Sequence, residues 1–145
     1  DTVQEKGFLL HCLPARHFSG RSLKANQALW ASFLIETPSQ KIYMGGDSGY
    51  DTHFAEIGKQ YPGIDLAILE NGQYNEDWKY IHTMPQYLGQ VARDLNAEKN
   101  LTVHHSKYAL ARPRWDEPLK NAMNLKEKDS LNVLMPIIGE VVRLK

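Results

Sequence analysis

Apolar residues fall along this chain in short runs, most of them too brief for helices. The first is Phe8 to Leu13, closed by Pro14, which cannot donate to a central ladder. Ala15 to Gln27 is rich in Arg, Ser, Gly, Asn and Gln, carries no period and reads as a loop. A second strand is predicted over Ala28 to Glu36 and a third over Lys41 to Met44, and the turn residues between them, Thr37-Pro38-Ser39-Gln40, predict an antiparallel hairpin. Phe54, Ile57 and Tyr61 recur at helical spacing and place a helix over Thr52 to Gln60, stopped by Pro62-Gly63. Asp65 to Glu70 is a continuous apolar run of the kind that forms buried strands. Pro85, favoured in a first turn, opens a second helix with Tyr87, Leu88, Val91, Ala92 and Leu95 as its apolar face, closed by Asn96 to Asn100. A strand over Leu101 to His104, a shorter helix over Pro118 to Lys126, and a last pair of strands over Asn132 to Met135 and Glu140 to Leu144 complete the pattern.

The alternation predicts the α/β class: one mixed sheet of about seven strands and about three helices, with a hairpin at each end around strand–helix–strand crossovers. No repeat, low-complexity tract or linker divides it, so residues 1–145 read as a single domain. That length suffices to bury roughly two-thirds of the surface an unfolded chain exposes. Charge changes the picture by exclusion. The 17 Lys+Arg and 17 Asp+Glu cancel, which removes the basic excess that non-specific nucleic-acid binding needs, and no nucleic-acid partner is expected. The one cysteine, Cys12, excludes an internal disulfide, is expected in the core, and fits a reducing, cytoplasmic location. The first residue is Asp1, with no methionine and no signal-peptide layout, which reads as a processing point or the edge of a piece of a longer protein.

In α/β sheets the chemistry gathers in loops beyond the carboxyl ends of strands. Polar residues stand there: Arg16 and His17 after the first predicted strand, Asp47 after the third, Glu70 and Asn71 after the fourth, His104 and His105 at the end of the fifth. His17 is a candidate metal ligand or a surface loop histidine. Asp47, in Gly45-Gly46-Asp47-Ser48-Gly49, has a carboxylate able to bridge two ions, and the same segment serves equally as a helix-entry turn capped by Ser48 or Asp51. Only one of His104 and His105 can face a site if the strand continues through them. His82 is an acid–base or substrate-binding candidate, or a histidine packed on aromatics. Glu70 is either a carboxylate that orients a ligand or a strand-end cap, and His11 and His53 read as structural.

The ordered series Leu13-Pro14-Ala15-Arg16-His17-Phe18-Ser19-Gly20-Arg21, Leu29-Trp30-Ala31-Ser32, Met44-Gly45-Gly46-Asp47-Ser48-Gly49-Tyr50, Asp65-Leu66-Ala67-Ile68, Lys79-Tyr80-x-His82 and Val103-His104-x-x-x-Tyr108-Ala109-Leu110-Ala111 resembles the metallo-β-lactamase superfamily. More narrowly it resembles the branch with N-acyl-phosphatidylethanolamine-type phospholipase D and ascorbate-6-phosphate lactonase-like hydrolases. The resemblance implies an αββα sandwich of two similar halves with two metal ions on the rim between them. It implies His17 and His104 as ligands of one metal each, Asp47 as the bridging ligand and His82 as the histidine that contacts substrate. It implies zinc, by the histidine-rich donors, with manganese or iron as alternatives, and hydrolysis of a phosphodiester, lactone or related ester, from a small-molecule or lipid-like substrate. His105 stands where close relatives often have tryptophan, and Ser106-Lys107 replaces a more usual Gly-Thr.

The superfamily's His-x-His-x-Asp-His, which belongs to the other half, does not occur in these residues. The expectation is therefore the C-terminal half of the fold, holding three of the expected seven ligands, inactive by itself and partnered by the missing N-terminal half. A homo-oligomer that brings two ligand sets together is a further possibility. The alternative reading is a non-catalytic α/β module that binds a partner through the face the missing half would cover.

Overall fold

A computed structural model describes residues 1–20, 23–108 and 111–144. Arg21, within the motif after the first predicted strand, and Ala109 and Leu110, within the motif after His104, lie outside the described residues. The elements are β1 (Thr2–Glu5), β2 (Phe8–Leu13), β3 (Ser32–Glu36), β4 (Lys41–Met44), α1 (His53–Gln60), β5 (Leu66–Glu70), α2 (Pro85–Leu95), β6 (Lys99–Val103), α3 (Glu117–Glu127) and β7 (Val133–Leu134), with one 3-10 turn at Glu76–Trp78. The strands form a single mixed sheet in chain order. β1 to β4 pair antiparallel, including the predicted β3–β4 hairpin, and β4 to β7 pair parallel.

The sheet's two faces differ because side chains alternate along every strand. One row crosses the sheet through His11, Leu34, Tyr43, Ala67, Asn100 and Val133. The helices cover this face, and Leu34, Tyr43 and Ala67 are fully buried there with Phe54 and Ile57 of α1, Leu88, Val91 and Leu95 of α2, and Leu125 of α3. Burial pushes the Tyr43 hydroxyl up to about 12, so it stays neutral in the core. The adjacent row, Cys12, Phe33, Met44, Ile68, Leu101 and Leu134, belongs to the opposite face. No element covers that face among the described residues, and Phe8, Phe33, Met44 and Val103 are exposed on it.

Four expectations are corrected. Cys12 is exposed, not in the core, because its place in the β2 alternation puts it on the uncovered face. Glu140 to Leu144 is not a strand. Pro136 and Gly139 (φ 91°) bend the chain into a turn closed by the Glu140 N–H donating to the Ile137 carbonyl, and β7 is too short to offer it a ladder. The chain therefore finishes on a parallel strand and no terminal hairpin forms. The strand expected from Leu101 begins at Lys99 instead, soon after Asn96 in the left-handed region (φ 50°) closes α2 as expected. The predicted strand over Ala28 to Glu36 begins at Ser32. β1 adds a strand beyond those expected; its Val3, with no apolar partner pattern around it, carries little signal.

Among the described residues no helix is long and apolar enough to cross a membrane.

Candidate metal centre

Three adjacent parallel strands deliver the site. The loop after β4 carries Asp47, β5 ends on Glu70, and the chain leaving β6 carries His104. The loop after β2 adds His17, and the segment between β5 and α2 adds His82. Ligating atoms of Asp47, Glu70, His82 and His104 all lie within 4.8 Å of one another. His104 Nε2 stands 3.5 Å and His17 Nε2 3.9 Å from the same Asp47 oxygen, Oδ2. The His82 ring packs edge-on to His17 at 5.3 Å, stacked with His104 at 6.0 Å, and tilted against Trp78 at 5.8 Å. All four residues predicted for the site are thus brought together, with Glu70 beside them.

Each imidazole is held by a different device. His17 Nδ1 donates to the Phe18 carbonyl at 2.7 Å, which leaves the Nε2 lone pair facing Asp47. His104 follows the last β6 residue in the left-handed region (φ 66°), so the backbone turns sharply and the two-residue alternation does not reach His105. His105 instead folds back, with Nε2 3.1 Å from both the Thr102 hydroxyl and carbonyl and Nδ1 2.7 Å from the Ser106 hydroxyl. The His104 carbonyl accepts a hydrogen bond from the Gln73 side chain at 3.4 Å. It also lies so close to Gly72 that a Cβ there would sit 2.2 Å from it. Gly72→Ala is therefore expected to push the His104 backbone aside, costing about 1–3 kcal/mol of stability and weakening divalent-ion binding. Urea unfolding and ion titration check this, and a variant matching the parent in both would refute the bracing role.

Glu70 is the hub below these residues. Its Oε1 accepts the Ser48 N–H at 3.0 Å and the Thr83 N–H at 2.8 Å, while its Oε2 pairs with His82 Nδ1 at 2.7 Å. The Thr83 hydroxyl closes the ring by donating to the Ser48 carbonyl at 2.7 Å. Ser48 Oγ accepts the Arg16 N–H at 2.9 Å, tying in the loop that carries His17. Burial by itself would lower the pKa of His82, but the hydrogen bond and charge of Glu70, with the charge of Asp47, outweigh it and leave it raised. Sequence reasoning left Glu70 open between two roles and missed the parts of Ser48 and Thr83. The available signal was an acid ending a run, Leu-Ala-Ile-Leu, otherwise free of polar residues.

Space for a ligand adjoins the cluster. A cavity of about 340 Å³ is lined by His17, Phe18, Asp47, Trp78, Ile81, His82 and His104 among others. A second, of about 800 Å³, shares His17, Phe18 and Asp47 and runs along Leu29 and Trp30.

A mixed α/β sheet with histidines and a carboxylate gathered on its rim defines a metal-binding type of α/β protein. Residues 2–105 match the family model of the beta-lactamase superfamily domain, and the chain belongs to that family, the metallo-β-lactamase superfamily of hydrolases. It is 62% identical over 95 residues to Outer membrane protein RomA of Klebsiella pneumoniae, covering 66% of this chain and 72% of that one. It is 37% identical over 120 residues to the mitochondrial N-acyl-phosphatidylethanolamine-hydrolyzing phospholipase D of Saccharomyces cerevisiae, covering 79% of this chain but 26% of the relative. Igni18, a metallo hydrolase of Ignicoccus hospitalis, superposes with a TM-score of 0.74 at 18% identity, over 98% of this chain and 57% of that one. The chain thus spans only part of the length of the proteins it matches.

Proposed function

We propose that this chain is the C-terminal part of a dinuclear, zinc-dependent hydrolase of phosphodiester, lactone or related ester bonds. In this reading His17 and His104 would each hold one metal, Asp47 would be the ligand the two metals share, and His82 would contact substrate. The observation that carries it is the approach of two imidazole Nε2 atoms to one oxygen of a half-buried aspartate. A carboxylate with several lone pairs between two imidazoles is a donor set suited to a pair of divalent ions, and nitrogen-rich donors favour zinc. When bound, such ions supply Lewis acidity and an activated water near neutral pH.

The chain's own residues do the rest. Phe18, Trp78 and Ile81 form an apolar wall of the smaller cavity, against which the non-reacting part of a bound ester would pack. His82 lines the cavity and would hydrogen-bond the substrate there through its free ring nitrogen. Three donors cannot give two zinc ions three protein ligands each, so the remaining ligands come from the N-terminal half, and the isolated chain is inactive. The uncovered apolar row of Cys12, Phe33, Met44 and Ile68 is the surface that half packs against. A cytoplasmic location completes the reading, supported by the single cysteine, and cell fractionation tests it.

The test is metal analysis of the full-length protein with hydrolysis of bis(4-nitrophenyl) phosphate and a panel of lactones. Two ions per chain and a chelator-sensitive rate are expected. Undiminished hydrolysis after complete metal removal would sink the proposal.

A further inference from the structure

Metal binding and substrate contact leave Glu70 with no part of its own. It is 4% exposed, more deeply buried than Asp47, His82 or His104. A buried carboxylate is retained only when its oxygens are satisfied, and here three N–H groups satisfy them. Two are backbone N–H groups from separate segments, Ser48 beside Asp47 and Thr83 beside His82. The third is the imidazole itself. Resting on the proposed function, we infer that Glu70 is a positioning residue that fixes His82 with its proton on Nδ1 and presents Nε2 to the cavity.

The argument is one of matched donors and acceptors. A carboxylate oxygen accepts, so the nitrogen 2.7 Å from Glu70 Oε2 carries hydrogen. Nδ1 is thereby used, and Nε2 is the only polar atom His82 has left to offer to the cavity it lines with Asp47 and His104. The ring cannot turn over without setting a carbon against Glu70. The ring is also packed against Trp78, His104 and His17. Glu70 further ties the Asp47 loop to the His82 loop, because the same carboxylate holds the backbone next to each. It therefore sets which nitrogen faces the substrate and how far that nitrogen stands from Asp47.

Glu70→Gln separates this role from a merely structural one. The amide is the same size but has one accepting and one donating end. Its oxygen must face the Ser48 and Thr83 N–H groups, since an NH₂ there would oppose donor to donor. The NH₂ then faces His82 Nδ1, which must accept, and the ring proton moves to Nε2. The experiment is ¹⁵N NMR of histidine-labelled, metal-free, full-length protein at alkaline pH, with the His82 signals identified by their loss in His82→Gln. The parent is expected to show His82 protonated on Nδ1, and E70Q to show it protonated on Nε2. With metal restored, E70Q should lose about 10-fold or more in kcat, because the nitrogen facing the cavity then carries a proton where the parent has a lone pair.

An Nε2-protonated His82 in the parent would overturn the inference, and this measurement needs no variant to fold. So would an E70Q variant whose His82 keeps its proton on Nδ1. The tautomer is read with neither metal nor substrate. The expected tautomers in a protein that hydrolyses nothing would sink the hydrolase reading while leaving the Glu70–His82 pairing in place.

Discussion

Replacing Asp47 by alanine in the full-length protein is expected to reduce hydrolysis by more than about 100-fold, beyond the loss typical of residues that only orient a ligand. The bound metal should fall below two ions per chain. Both His17 Nε2 and His104 Nε2 approach the Asp47 carboxylate, at 3.9 and 3.5 Å. Removing it takes away the shared oxygen and leaves two imidazoles facing each other across a gap. The fold should survive, because Asp47 is only half-buried and its loop is held by the Ser48 and Thr83 bonds to Glu70. The comparison is metal content and kcat of D47A against the parent, with circular dichroism to confirm that the fold is intact. Full metal loading with full activity would remove Asp47 from the centre.

The second large effect is on stability. Phe54→Ala is expected to cost about 3–5 kcal/mol, the range for deleting a buried aromatic ring. Phe54 is 2% exposed on the inner face of α1. Its ring lies parallel to that of Tyr50 at 6.2 Å, and the His53 ring is 4.0 Å away. α1 packs against α2, so the void would open between helix and sheet where neither can close it alone. Urea unfolding should show a lower midpoint with an unchanged slope. A loss under about 1 kcal/mol would mean that this part of the core relaxes freely, contrary to the close packing described.

The strands and helices that bury one clear face could be read from the sequence. The β3–β4 hairpin, α1 and β5 match their patterns because turn residues bracket short apolar runs, and Pro85 marks the start of α2. Failures fall where a partner decides. Val141 and Val142 look like strand residues, but a strand needs an edge to pair with, and β7 offers two residues. Cys12 looks like core until the phase of β2 is known, since a neighbour one residue away faces the other side. At the site, the four predicted residues do converge, but the means do not show in the sequence. No spacing rule announces that His104 adopts a left-handed backbone, or that Glu70 reaches two loops at once. Both follow from contacts between residues distant in the chain.

The parallel stretch β4–β5–β6 has one more consequence. Asp47, Glu70 and His104 leave three neighbouring strands, whose pitch in the hydrogen-bonding direction is about 4.8 Å. Backbone ladders, not side chains, therefore gauge the width of the centre. Exchange of core residues leaves that gauge untouched, and substitutions in the connecting loops redress the chemistry without altering it. A lattice of peptide bonds with replaceable fittings at its rim allows one scaffold to carry different chemistries while the separation of the residues that perform them stays fixed.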